Sequence, residues 1–584
     1  MKYNHHTNMN TIIKKYKRMA GATAMSLALT ASSFMLTGCN DFLDTLPLND
    51  VVLENYWTQK ADVTSVLNSC YESLESSESI LRMGVWGEMR SDNIVLGRSV
   101  GYDIQEILKE NILPTNGLTK WDVMYQTINR CNVVCHYAPQ VMDKDPNYTV
   151  NEMKANVAEA TFIRDLCYFY LIRTFRDVPI SFEPSIDDLA DYQIAPTEMN
   201  AALDMLIADL EKVKDDAVRR YVDDSRMTNS YAAQTAYENS SRVTRVAIYA
   251  LLADLNLWRG NWDKCIEYCD LVIDFKKEQY RLKKENLGDL RDMYEYDGIP
   301  LIRESPDGTT FCGNAYMQIF YDGNSFESLF ELYFKTNQSI KNSYVSSYYG
   351  TRSQSLGQFA AYTDYFKDAA LGNSQLFNKK DCRAYESAKS TNERYAITKY
   401  VNDYVSLNNT NVSDEKTLNL NTTRRNDEFA NWIVYRFTEV LLMKAEALIM
   451  KGEENFPAAF ALINTVNKRA LNITTSGDKD ELKYDDYKQS RETMEDLLLA
   501  ERNRELMFEG KRWYDLVRVS LRDGSTQRLV SKATVKYKDN VNRIKIKLSD
   551  PNIIFFPYNR DELKLNPYLK QNSAYGNTEE FEGI

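Results

Sequence analysis

The sequence predicts a mainly α-helical protein, a scaffold of tetratricopeptide-like helix pairs interrupted by long irregular loop insertions. Three observations predict it. Apolar residues recur at three- and four-residue steps over much of the chain, and Ala247–Asp270 reads as a helix, a glycine turn and a second helix. From Gly313 to about Phe429 that period gives way to a texture of Asn, Ser, Thr and Tyr. A chain of 584 residues with 43% hydrophobic and 12% aromatic content has the means to bury a large core. Helical arrays grow in one direction, so this length does not demand several domains.

The first element is a leader. Lys14, Lys15, Lys17 and Arg18 precede the apolar, small-residue run Met19–Gly38, which ends Leu36-Thr37-Gly38-Cys39. A basic stretch, an apolar stretch and small residues before a cut make an export signal, with an uncleaved membrane anchor as the competing reading. The ending resembles the lipobox of bacterial lipoproteins, in which cleavage leaves an acylated cysteine at the new terminus. Residues 1–38 are therefore expected to be removed and Cys39 to carry lipid, anchoring the protein to a membrane. Losing the five basic residues of 1–38 takes the formal net charge from −12 to −17 over the remaining 546 residues. So acidic a chain disfavours nucleic acid as a partner.

The same removal leaves His136 as the one histidine, against 39 Tyr, 23 Phe and 7 Trp in the full chain. A Ser-His-Asp triad or a His-rich metal site would have to be built around that residue, which lies in a helical stretch where packing or solvation explains it. Cys131/Cys135 and Cys265/Cys269 are spaced by four, which places each pair on one helix face and is wider than the spacing of zinc knuckles. No metal and no cofactor is expected.

After a short tether, about Asp41 to Pro47, residues 39–584 read as one domain: a helical part from about 50 to 280, a loop-rich insertion from about 313 to 429, and a helical part from about 430 to 584. In Ala160–Phe175 the period is carried by Phe162, Leu166, Phe169 and Ile172, and the helix stops at Asp177-Val178-Pro179. Phe437, Leu441, Ala445 and Leu448 repeat the rule before Lys451-Gly452. Ala250, Ala253 and Leu257 lead into Arg259-Gly260-Asn261-Trp262, and a second helix follows with Ile266, Cys269 and Ile273. Further pairings are expected between 151–175 and 197–213 and between 436–451 and 457–470.

Glu501–Arg518 reads as one helix laddered by opposite charges at i,i+3: Glu501/Arg504, Arg502/Glu505, Glu509/Arg512 and Asp515/Arg518. A cation beside each carboxylate keeps it ionised, whereas a general acid needs a raised pKa. The helix is expected to clamp the scaffold rather than to catalyse.

Several of these stretches together resemble the SusD/RagB outer-membrane lipoproteins of Bacteroidetes. The resemblance is carried by Trp86-Gly87-Glu88 with Ser91-Asp92-Asn93, Ala158–Arg164 with Tyr168-Phe169-Tyr170, and Tyr435-Arg436 through Lys444–Ala447. It continues in Glu501–Leu506 with Phe508–Leu516 and in the ending Asn566–Asn572. It implies a non-enzymatic, surface-facing subunit that acts as the lid of a SusC-type TonB-dependent transporter. Such a subunit captures an oligosaccharide, or in some relatives a peptide, for delivery into the barrel.

The resemblance also implies where ligand is met: the loop after Ser91-Asp92-Asn93, with Arg98 and Tyr102, and the segment after Asn324–Ser328, with Tyr344, Tyr348, Tyr349 and Arg352. Tyr348 or Tyr349 is expected to stack on the ligand, since an aromatic ring covers the apolar face of a pyranose. A glycoside hydrolase, the competing enzyme class, would need two carboxylates across a cleft, which nothing local identifies. A protein-docking adaptor is the third class.

Overall fold

The computed structural model describes residues 56–185, 193–227, 236–308, 310–335, 340–392, 394–408, 419–475 and 477–576. The leader, Cys39 and the tether lie outside the described residues. Gln59–Ile584 is one compact unit. Among the described residues no helix is long and apolar enough to cross a membrane.

The longer helices of the first half are α1 (Lys60–Leu74), α2 (Ser77–Glu88), α3 (Tyr102–Leu108), α4 (Asp122–Met142), α5 (Val150–Phe175), α6 (Met199–Val213), α7 (Arg245–Arg259) and α8 (Trp262–Leu287). After the insertion come α9 (Phe437–Lys451), α10 (Phe456–Ala470), α11 (Arg491–Leu506) and α12 (Arg512–Asp523), followed by shorter helices at Gln527–Ala533, Val541–Leu548 and Arg560–Leu565. The expected period is realised in α5, where every residue from Ala158 to Phe175 is buried. Thr149 and Glu152 close its first turn by bonding each other's backbone N–H, which satisfies donors that a helix start leaves free. The pair α7/α8 turns at Gly260, whose φ of +81° is left-handed backbone that glycine adopts without a Cβ penalty.

Two expectations on pairing hold, α7 with α8 and α9 with α10; for α5 the structure adds a partner. It packs against α6 as expected, and more extensively against α4, which precedes it. The array is continuous across the insertion, because α9 packs on α8, where Lys444 pairs with Asp270. The chain thus leaves the scaffold after α8, builds the insertion and returns to the position it left.

The insertion is more ordered than its composition predicts. Its strands are β2 (Ser328–Leu332), β3 (Phe359–Ala361), β4 (Ala388–Thr391), β5 (Arg394–Ile397), β6 (Asn402–Leu407) and β7 (Leu420–Arg424); β8 (Trp432–Arg436) follows it, and β1 (Ile94–Leu96) reaches it from the N-terminal part. One antiparallel sheet runs β1-β3-β5-β4, and β6/β7 and β8/β2 form separate pairs. Strands of three to six residues are too short to show a period of two, and β1 and β3 meet only by a long-range contact, so the sheet leaves little trace in the sequence.

The charged segment also differs from expectation. It is two helices, broken at Met507–Lys511, where Phe508 (φ +66°) and Gly510 (φ +72°) turn the chain. Glu501/Arg504 and Asp515/Arg518 pair within their helices, at 2.6 and 3.0 Å. The other two expected pairs are replaced by remote ones. Arg502 bonds Asp515, Arg512 bonds Asp92, and Glu509 accepts from Arg436 and Lys399. The carboxyls of Glu501, Glu505, Glu509 and Asp515 all lie below the usual range: burial raises each, and the facing cations more than reverse it.

Candidate functional site

Trp86-Gly87-Glu88 and Ser91-Asp92-Asn93 sit at the end of α2 and just beyond it, all buried. Asp92 is held by the Arg512 guanidinium at 2.8 and 2.9 Å and accepts from the Tyr365 hydroxyl at 2.6 Å. Glu88 accepts from Asn93 Nδ2 at 2.7 Å with one oxygen, and from the backbone N–H groups of Gly510 and Lys511 with the other. These motifs therefore bolt α2 onto the turn between α11 and α12 and fix where β1 starts.

Burial pushes the Glu88 carboxyl up to about 7, and the Asp92 charge adds to the rise against the opposing hydrogen bonds. A carboxyl raised in the folded state above its unfolded value stabilises fully below about pH 4.5, and that contribution is lost as pH rises through 7. Glu88→Gln is expected to flatten the loss of stability between about pH 5 and 8, by up to about 3 kcal/mol. Urea midpoints across that range measure it; an unchanged slope would mean that Glu88 is ionised throughout.

The two loops expected to carry ligand are brought together. β1 pairs with β3 in the register Val95↔Ala360 and Leu96↔Phe359, and the amides of Gly97 and Arg98 both donate to Gln358 O. Gln358 in turn donates its amide to Ser347 O in the π-helical turn Val345–Tyr349. Gly357 permits this approach, because a Cβ there would lie 2.2 Å from Tyr348 O. Arg98, half-buried, and the turn carrying Tyr348 thus share one rim, while Tyr102 stands 65% exposed at the start of α3.

Tyr348 is half-buried and stacks on Phe359, with centroids 4.7 Å apart and planes at 27°. Arg352 is exposed and lines an open groove of about 610 Å3 between residues 341–353 and 425–429. Lys341 and Glu428 bridge this groove at 2.7 Å, and Phe429 and Thr351 add an apolar face and a hydroxyl to its walls.

Tyr344 and Tyr349 are corrections to the expected site. They are 1% and 0% exposed, so neither presents a face to a ligand. The Tyr344 ring fills the space left by Gly84 in α2, where an added Cβ would come within 2.3 Å of it, and meets Trp432 edge-on at 5.3 Å. The Tyr349 hydroxyl donates to Phe508 O at 2.9 Å, in the turn between α11 and α12. Both rings plug the insertion into the scaffold. His136, as expected, lies on a helix, exposed and edge-on to Tyr137 at 4.8 Å.

Residues 224–575 match the family model described as "SusD family". The chain belongs to the SusD family. Residues 41–257 of this SusD-family protein also match a model described as "Starch-binding associating with outer membrane". It is 24% identical over 528 residues to SusD-like protein P38 of Formosa agariphila, covering 87% of this chain and 92% of that one. Among solved structures it is similar to a SusD superfamily protein from Bacteroides thetaiotaomicron, at TM-score 0.60 and 19% identity over 89% of this chain and 99% of that one. It is also similar to a laminarin-binding SusD-like protein, at TM-score 0.57 and 19% identity over 89% and 100%. These likenesses confirm the mainly α SusD-like fold.

Sequence reasoning missed Lys389, Arg394 and Arg424, which border the same rim from β4, β5 and β7. Their signal was faint: cations alternating with small or hydroxyl residues in short segments of an acidic chain.

Proposed function

We propose that this SusD-family protein is a lipid-anchored, surface-facing binding protein of the outer membrane that captures an oligosaccharide. It hands the sugar to a SusC-type TonB-dependent transporter, for which it acts as the lid, and is anchored through Cys39. The meeting of the Arg98 loop with the Tyr348 turn on one rim carries this reading, since it joins ring, guanidinium and amide groups where two chain-distant loops converge. The laminarin-binding relative supports a saccharide cargo, and the description of the second family model supports the outer membrane. The role is binding, not catalysis, and the four ionised carboxylates of the α11/α12 segment support that division because each is spent on a buried cation.

Titrating the mature chain with a panel of oligosaccharides by calorimetry is expected to give saturable heats, and prolonged incubation to release no new reducing ends. Tyr348→Ala should weaken binding about tenfold, the effect of losing roughly 50 Å2 of apolar contact at about 25 cal/mol per Å2. Unchanged affinity in that variant would remove Tyr348 from the site. Saturable binding of peptides alone would overturn the saccharide reading.

A further inference from the structure

The β1-β3-β5-β4 sheet has one face whose chemistry the family reading does not use. Val95↔Ala360 and Lys389↔Ala396 are paired, and Ala361↔Tyr395 sets Ala360 beside Ala396, so Val95, Ala360, Ala396 and Lys389 form one row across the four strands. The middle of the row, Ala360 and Ala396, is small, apolar and fully buried, while Val95 and Lys389 at its ends are half-buried. Arg394 and Thr391, themselves paired, lie on the same face two residues along.

Cations border this row. Arg394 reaches across β3 to the carbonyls of Leu96 and Gly97, next to Arg98. Lys389 Nζ donates to Thr422 Oγ1 at 2.8 Å, and Arg424 lies on the same face of β7 as Thr422. The Arg424 guanidinium closes over the Tyr348 turn, its Nη1 standing 3.1 Å from where a Cβ on Gly350 would be. Arg352 follows in the loop that turn begins.

These cations share the lack of a counter-charge. The scaffold pairs its buried arginines with carboxylates throughout. Among the described residues, Arg98, Arg352, Lys389, Arg394 and Arg424 make no ion pair with any carboxylate. Arg98 Nε and Arg424 Nη1 are buried without a hydrogen-bond partner. Burial holds both Lys389 and Arg424 below their usual range, and for Lys389 the Arg424 charge adds to it. Among the described residues, a protein with 83 acidic against 71 basic groups leaves these cations without a carboxylate partner beside the candidate rim.

We propose that the rim beside this sheet selects oligosaccharides bearing carboxylate or sulfate groups, with Lys389 and Arg424 as the anion contacts. The inference rests on the saccharide reading above and names the class of sugar. A guanidinium with a free donor gains a charge-assisted, directional bond from an anionic group, whereas a neutral hydroxyl satisfies the donor without neutralising the charge.

Calorimetry on the mature chain with oligogalacturonates, sulfated galactan oligosaccharides and neutral oligosaccharides of equal length tests it, the first two arms distinguishing carboxylate from sulfate. At low salt at least one acidic series should bind about tenfold tighter than the neutral one, with the gap narrowing as salt rises. Lys389→Gln/Arg424→Gln should bring the acidic-to-neutral ratio towards one. Lys389→Gln alone, at a half-buried position with a single side-chain bond, should lower the ratio partway and covers the case in which the double variant misfolds. Equal affinity for acidic and neutral sugars, or a ratio unmoved in folded variants, overturns the anion selectivity and leaves the saccharide reading standing. Absence of binding to every sugar overturns both.

Discussion

Replacing Glu505 by alanine is expected to cost about 3–5 kcal/mol of stability, the penalty for leaving buried charge without its partner. The Glu505 carboxylate accepts from Arg436 at 2.6 Å, from Arg383 at 2.9 Å and from Arg469, and all three guanidinium groups are buried. The backbone carbonyl of Glu505 also accepts from Arg436 and Lys399. These cations come from different elements: Arg383 and Lys399 from the insertion, Arg436 from the end of β8, Arg469 from α10. One carboxylate on α11 therefore ties the insertion to two parts of the scaffold.

Burial opposes the Glu505 charge, yet the Arg469, Arg436 and Arg383 guanidinium groups hold its carboxyl well below the usual range. A depressed carboxyl contributes stability that is present above its unfolded value, near 4.5, and lost as pH falls through the folded one. The wild type should thus lose stability below about pH 4.5, and Glu505→Ala should lose less of it over that range. Urea midpoints give the first effect and their pH dependence the second. Glu505→Gln keeps the shape without the charge, so it should fall between wild type and Glu505→Ala. If alanine leaves the midpoint unchanged, the network does not hold these elements together.

The outcome also bears on the proposed binding rim. Arg383 and Lys399 flank β4 and β5, so loosening their anchor frees the sheet whose row carries Lys389 and Ala396. Faster amide exchange at residues 388–397 than in α5 would locate the damage there.

What the sequence revealed depended on the range of the interaction concerned. The helices α5, α7, α8 and α9 were legible because their apolar residues repeat within one or two turns, and the α7/α8 turn because a single glycine marks it. The charges of 501–518 were legible as structural, but not as to partner. Helical spacing names only neighbours on the same helix, whereas Arg512 meets Asp92 and Glu509 meets Arg436 and Lys399 through the fold. Tyr344 and Tyr349 failed for the same reason. A run of Tyr, Ser and Asn suits an exposed loop as well as a plug, and what decides is Gly84 on a distant helix and a carbonyl in the α11/α12 turn. The candidate rim was half legible: its two loops could be singled out as segments, while their pairing and the cations on β4, β5 and β7 emerge only from the strand register.

Among the described glycines, Gly87→Ala is expected to be the most disruptive single-methyl change. An ideal Cβ at Gly87 would lie 1.7 Å from Gly510 O and 2.5 Å from its carbonyl carbon, both backbone atoms that no rotamer can move. Ordinary contact needs more than 3 Å, so α2 and the α11/α12 turn would have to separate by over an ångström. That separation breaks the bonds from Gly510 N and Lys511 N to Glu88 and strains the Asp92–Arg512 pair, leaving buried groups unsatisfied. The turn cannot yield in compensation, because Gly510, at φ +72°, already lies with its own Cβ position 2.9 Å from Met83 O on α2. The cost should therefore exceed the about 1–3 kcal/mol usual for an overpacked core. Alanine at Gly97 or Gly101, on the nearby Arg98 loop, gives the comparison. Gly101 has nothing within 4 Å and should tolerate the methyl, whereas Gly97 faces the carbonyls of Gly357 and Phe359 and should loosen β1 from β3 without unseating α2. Thermal unfolding of the three variants should rank them Gly101, Gly97, Gly87 in order of increasing loss. A Gly87→Ala protein that melts with wild type would mean that α2 does not seat on the turn as described, and the position of the whole Arg98 rim would fall with it.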